Sequence, residues 1–194
     1  MSIIDIKYNQ KKQTPSDINE HLETLYNYAK ECDAIAEFGV FEVTSSYALA
    51  AARPKKLICV DIKSNNFIEN FINECQIEGI NLEFYESSTL NFLLEEVDLL
   101  FIDTLHAYSQ LIQELRLHHT KVKKYIILHD TVSFANNDEI NYTGLLNDRN
   151  INEQGKRGLL PAVEDFIKEN PHWIIVQSFP YNNGLMVLKN INQK

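Results

Sequence analysis

Apolar runs that end on an acid recur along this chain. LICVD occupies 57–61, VDLLFID 97–103 and YIILHD 125–130. A run that is apolar without alternation fits a strand covered on both faces, as in a parallel sheet. Between the runs, apolar residues return at helical spacing: Phe67, Ile68, Phe71, Ile72 and Cys75, then Tyr108, Leu111, Ile112 and Leu115. Further strands are read at 34–38 and 82–85, with an Ala-rich helix at 45–52. Strands alternating with helices define an α/β chain whose crossover helices cover a mostly parallel sheet.

The flanks follow from local signals. Residues 1–13 are polar and weakly patterned and read as an N-terminal arm. Thr14, Pro15 and Asp17 read as the cap and first turn of a helix carrying Ile18, Leu22, Leu25, Tyr26 and Ala29. The Asn- and Asp-rich stretch 131–157 has no period and reads as a lid loop. A helix then carries Leu160, Val163, Phe166 and Ile167 and stops at Asn170-Pro171. Strands at 173–179 and 185–189, joined by the turn 180–184, read as an antiparallel pair. With 194 residues and no repeat, the chain reads as one domain.

Charge excludes some partners. With 18 basic and 27 acidic residues the net charge is −9, wrong for gripping nucleic acid or an anionic membrane. No apolar run reaches the roughly 20 residues of a membrane span, and the first residues lack a secretory layout. Cys32, Cys59 and Cys75 lack paired spacing and sit among apolar residues. They read as reduced and buried, in a cytoplasmic protein. His118 and His119 read as a solvated pair at a helix end, Trp173 as core, and Lys156 and Arg157 as surface charges that could meet an anionic acceptor.

In an open α/β sheet, ligands bind outside the carboxyl ends of the strands. Those ends carry Glu37, Gly39, Asp61, Ser87, Ser88, Asp103, His129 and Asp130. Glu37-Phe38-Gly39 before a helix, with Asp61 at the next strand end, is a nucleoside-type arrangement: glycine admits close backbone approach and the acid accepts ribose hydroxyls. After Gly39 the chain reads Val40-Phe41-Glu42-Val43-Thr44-Ser45, with no glycine-rich phosphate cradle and a carboxylate nearby. A cationic or phosphate-free nucleoside therefore fits better than a dinucleotide.

These stretches, AEFGVFEVTSSYALA, LICVDI, VDLLFIDTLHAYSQLIQELRLHH, YIILHDT and GLLPAVEDFI…NNGLMVL, resemble the class I S-adenosylmethionine-dependent methyltransferases. More narrowly, IDxxHxY with LHDT resembles the branch of metal-dependent sugar O-methyltransferases and cephalosporin-hydroxylase-like proteins. The likeness spans about Cys32 to Lys189. It implies a Rossmann-like, doubly wound sheet of seven strands, mostly parallel with an antiparallel last strand. It implies S-adenosylmethionine as cofactor: Glu37 and Gly39 beside its methionine part, Asp61 on the ribose, Ser87 and Ser88 near the adenine, and Asp103 at the cofactor as well as the metal. It further implies Mg²⁺ or Mn²⁺ on Asp103, His129 and Asp130, and His106 as general base. The acceptor would be a small-molecule or sugar hydroxyl, with self-association left open.

Two positions depart from the family pattern. Val43 stands where the second glycine of ExGxxxGxS is usual and is expected to crowd the cofactor. Thr104-Leu105 stands inside IDxxH where relatives read IDGDH, placing an apolar side chain beside the metal. These departures keep two other functions in view: a non-catalytic binding or scaffold module, and a hydroxylase-like enzyme of the same fold.

Overall fold

A computed structural model describes residues 2–139 and 155–192. Its centre is a seven-stranded sheet in the order β3-β2-β1-β4-β5-β7-β6. The strands are β1 Ala34–Phe38, β2 Lys56–Asp61, β3 Leu82–Glu86, β4 Val97–Ile102, β5 Val122–His129, β6 Trp173–Phe179 and β7 Leu185–Asn190. The pairs β1–β2, β1–β4, β2–β3 and β4–β5 are parallel; β7 runs antiparallel to both β5 and β6. The sheet expected from sequence is therefore present, with β7 as its antiparallel strand.

Both faces are covered, which is why the central strands read as unbroken apolar runs. Leu99 and Phe101 of β4 face one hydrophobic layer, and Leu100 and Ile102 the other. The first layer is supplied by α1 Ile3–Gln13, α2 Leu22–Ala29, α3 Thr44–Ala51 and α4 Asn66–Ile77. The second is supplied by α5 Tyr108–His118 and α6 Leu159–Glu169, with Phe166 and Trp173 fully buried. Trp173 is thus core, as expected. The thiols of Cys32, Cys59 and Cys75 are buried and unpaired. Among the described residues, no helix is long and apolar enough to cross a membrane.

Three readings of the sequence are corrected. The stretch 1–13 is helix α1, docked on α3 through Ile4 and Tyr8, which are one turn apart and buried. Ile3 and Ile6 stand exposed beside the two anchors and blur the period, so an arm was the natural reading. Thr14 closes α1 and opens nothing: its hydroxyl donates to the Gln10 carbonyl at 2.9 Å, and Pro15 follows a helix end, where proline is common. Ser16 Oγ accepts from the Asn19 amide at 3.0 Å at the start of a short 3₁₀ turn, Asn19–His21, whose N-cap position is Ile18. His118 is buried, donating from Nε2 to the Thr89 carbonyl at 2.8 Å, so it is no solvated helix-end residue.

Of the expected lid, 140–154 lies outside the described residues. Its flanks are tied down. Asp138 Oδ1 accepts from the amides of Tyr108 and Gly158, each at 2.7 Å, joining the start of α5 to the entry of α6. Arg157 pairs with Asp138 at 3.0 Å and Lys156 with Asp165 at 2.5 Å, so both cations meet acids of the chain.

Candidate functional site

Parallel strands bring their carboxyl ends to one edge, and the crossover helices leave from it. Asp61 is the last residue of β2; Gly39, Asp103 and Asp130 directly follow β1, β4 and β5. A cavity of about 390 Å³ opens there. Gly39, Asp61, Ser88 and Asp103 line it, joined by Phe41, Val60, Ile62, Thr89, Thr104, Leu105, Gln110 and Glu139. Among the described residues the lining holds three carboxylates, Asp61, Asp103 and Glu139, and no basic side chain.

Gly39 sits at φ +82°, and a Cβ there would lie 1.9 Å from the Asp103 carbonyl oxygen. The glycine is thus demanded by the chain's own β4 end, in addition to any ligand. Asp61 holds the turn that follows. Its Oδ2 accepts from the amides of Val40 at 2.8 Å and Phe41 at 3.1 Å, and its Oδ1 from Lys63 at 3.2 Å. A carboxylate oxygen has two lone pairs, so Oδ1 keeps one for a ligand hydroxyl.

Two of the expected cofactor residues lie elsewhere. Glu37 is fully buried behind the turn, accepting from Ser45 at 2.5 Å and Ser46 at 2.6 Å, and does not line the cavity. Burial raises its carboxyl to about 7 against the lowering effect of those hydroxyls. Ser87 lies in a separate groove beside Glu86 and Asn91. Val43 is also outside the cavity lining, packed in the core among the α1–α4 residues at φ 57°. The expected crowding of a ligand is replaced by backbone strain, since a β-branched residue rarely adopts the left-handed region. Leu105 does line the cavity.

Next to this cavity is a cluster of acids and imidazoles. Single ligand atoms of Asp103, His129 and Asp130 lie within 4.8 Å of one another. His129 Nε2 lies 3.2 Å from the carbonyls of both Asp17 and Asn182. Carbonyls only accept, so Nε2 carries the hydrogen and Nδ1 turns to Asp103 Oδ2 at 3.3 Å and Asp130 Oδ2 at 3.2 Å. Neither His129 Nδ1 nor Asp130 Oδ1 has a geometrically sound hydrogen bond, although both are buried. Asp130 itself sits at φ 58°. Two buried, unsatisfied donor atoms beside a second carboxylate suit a hard divalent cation.

His106 stands against the same acids. Its Nε2 lies 2.9 Å from Asp130 Oδ2 and 3.4 Å from Asp103 Oδ1, and its Nδ1 3.3 Å from Glu139 Oε2. The ring is stacked on Phe134 at 4.6 Å between centroids. Burial alone would lower the imidazoles of His106 and His129; the close carboxylates of Asp103 and Asp130 outweigh it and raise each to about 10. Burial would raise the two carboxyls in turn, and the histidines hold both below the ordinary range, Asp130 well below.

Sequence reading missed Thr89, Gln110 and Glu114, which with the half-buried Thr104 form one polar group at the cavity. Glu114 Oε1 accepts from the Thr89 hydroxyl and the Gln110 amide, each at 2.6 Å, and Oε2 from the Thr104 hydroxyl at 2.9 Å. The available signal was polar spacing: Gln110, Glu114 and His118 recur every four residues, on one face of α5. Phe134 and Glu139 were hidden in a stretch without period.

No protein-family model matches the chain, and no curated protein sequence matches it. Solved structures do match. The O-methyltransferase TomG from Streptomyces achromogenes, involved in tomaymycin synthesis and solved with S-adenosylmethionine, superposes with a TM-score of 0.64 at 14% identity, over 98% of this chain and 90% of that one. The chain has the methyltransferase fold. A putative caffeoyl-CoA O-methyltransferase from Staphylococcus aureus gives 0.63 at 14% identity, over 98% and 93%. The N-methyltransferase NodS from Bradyrhizobium japonicum, solved with S-adenosylhomocysteine, gives 0.60 at 12%, over 96% and 98%.

Proposed function

We propose that this chain is an S-adenosylmethionine-dependent methyltransferase that methylates a hydroxyl of a small molecule or sugar with the help of Mg²⁺ or Mn²⁺. The observation that carries the reading is the cavity lining. Among the described residues it has three carboxylates and no basic side chain, which suits a cationic nucleoside and disfavours a phosphorylated one. S-adenosylmethionine bound there supplies a methyl group activated by its sulfonium.

The chain's own residues do the rest. Asp61 offers the spare lone pair of Oδ1 to a ribose hydroxyl. The apolar side chains of Phe41, Val60, Ile62 and Leu105 suit the faces of a base. Asp103 borders both the cavity and the cation cluster, so donor and acceptor would meet at its carboxylate. Asp103, His129 and Asp130 would hold the cation, which supplies a Lewis acid for an acceptor oxygen. With no cation bound, Asp103 and Asp130 keep a proton on His106. Once that charge is neutralised, His106 is free to accept the hydroxyl proton, and Phe134 fixes its ring.

Val43 lies outside the cavity, which removes one reason for a non-catalytic module. The acidic surface argues for a small acceptor and against nucleic acid, and the buried thiols suit a cytoplasmic protein. Calorimetry with S-adenosylmethionine and S-adenosylhomocysteine, with and without Mn²⁺, tests the reading. Micromolar binding is expected, followed by methylated product from a hydroxyl acceptor panel that depends on Asp103 and Asp130. Absence of binding at millimolar nucleoside overturns it.

A further inference from the structure

Helix α5 turns one polar stripe toward the cavity wall. Gln110, Glu114 and His118 are 5%, 0% and 1% exposed, so none of them is a solvated helix face. All three converge on the segment after β3. His118 Nε2 donates to the Thr89 carbonyl at 2.8 Å, and Glu114 receives the Thr89 hydroxyl at 2.6 Å. Thr89 is thereby held through its main chain and its side chain at once.

Gln110 is oriented by the same carboxylate. Its Nε2 donates to Glu114 Oε1 at 2.6 Å and to Thr89 Oγ1 at 3.1 Å, which uses both amide hydrogens. An ionised carboxylate cannot donate, so the amide cannot present its oxygen to Glu114. What remains is Oε1, which accepts no hydrogen bond from the described residues and is not sealed off with the buried orphan atoms. Gln110 lines the cavity, so the atom it offers there is an acceptor. Ser88 and Thr89 also line the cavity, on the segment that follows β3, next to the strand that ends in Asp61.

We infer that Gln110, oriented by Glu114 and Thr89, selects a nucleoside whose base carries an exocyclic amino group and rejects one carrying a carbonyl there. The inference rests on the nucleoside reading of the cavity. An amino N–H meets the acceptor on Gln110, whereas a carbonyl would set two acceptors face to face. Glu114 is a positioning residue: it fixes which end of the amide faces the ligand.

The test compares S-adenosylhomocysteine with its deaminated analogue, S-inosylhomocysteine, by calorimetry at pH 8, where the Glu114 carboxyl, raised by burial to about 7, is ionised. The unaltered protein should prefer the adenosyl compound about 10- to 100-fold. In Glu114→Gln the new amide can keep its oxygen on the Thr104 hydroxyl and turn its nitrogen to Thr89 and Gln110, donating to Thr89 Oγ1 and Gln110 Oε1 and turning the Gln110 amide over. The preference should then fall to within about threefold or invert. Gln110→Met, which keeps the volume and removes the acceptor, should flatten it too, and covers the case in which Glu114→Gln does not fold. Equal binding of both compounds by the unaltered protein, or an undiminished preference in a folded variant, overturns the inference alone. Binding of neither compound overturns the nucleoside reading and the inference together.

Discussion

Replacing Glu37 with Gln removes one proton-binding group from the core and leaves its shape. The side chain is 0% exposed, and Ser45, Ser46 and Cys59 donate to its two oxygens. Burial raises the carboxyl from 4.5 to about 7. Between those values the folded protein holds a proton that the unfolded chain has released, so stability falls as pH rises through the window. Below pH 4.5 both states are protonated and the penalty is absent; above about 7 it is complete. The gap corresponds to about 3 kcal/mol. Glu37→Gln has nothing to titrate but offers one acceptor oxygen in place of two, at a cost of about 1 kcal/mol. The variant should be about 1 kcal/mol less stable than the parent near pH 4.5 and about 2 kcal/mol more stable at pH 8. Urea unfolding, read by the fluorescence of Trp173, measures both differences, since this single tryptophan is fully buried. Glu114, also raised to about 7, is present in both proteins and cancels. Stability differences that stay constant to within about 0.5 kcal/mol across the range would refute a charged, buried Glu37.

Asp61→Asn keeps an oxygen for the Val40 and Phe41 amides, so it should cost under about 1 kcal/mol in a thermal melt while weakening S-adenosylhomocysteine about tenfold or more. Asp61→Ala leaves both amides without their acceptor and should lose about 1–3 kcal/mol besides. Mn²⁺ titrated at pH 7.5 in buffers of different ionisation enthalpy should release about one to two protons per ion, because His106 and His129 are held protonated at that pH by the acids the cation takes. Asp130→Asn should abolish that binding, and a heat independent of buffer would contradict the histidine assignment. Val43 is buried with φ 57°, so Val43→Gly should be about 1 kcal/mol more stable than Val43→Ala in urea, the reverse of the order inside a helix.

Much of the fold could be read because its signals are local. An apolar run such as 97–102 has to be a strand covered on both faces, and the helical spacing around Phe71 or Leu111 admits one layer each. The acids at the ends of β2, β4 and β5 could be placed on one sheet edge because parallel strands put their carboxyl ends together. Helix α1 was unreadable for the opposite reason: its two anchors, Ile4 and Tyr8, matter only because α3 is there to receive them.

The amino-acid sequence by itself determined that this chain builds a doubly wound α/β sheet with acids along one edge, since periodicity and strand-end composition are properties of neighbouring residues. Only the tertiary structure decided what each of those residues does. Glu37 and Asp61 look alike as strand-end acids, yet one is sealed under Ser45 and Ser46 while the other borders the cavity. His118, a helix-end histidine by sequence, proved to be a buried prop for Thr89, 29 residues away. His129 acquired its orientation from carbonyls of Asp17 and Asn182, at distances of 112 and 53 residues along the chain. A side chain's protonation and direction depend on what the fold packs around it, and partners so far apart leave no pattern in the order of residues.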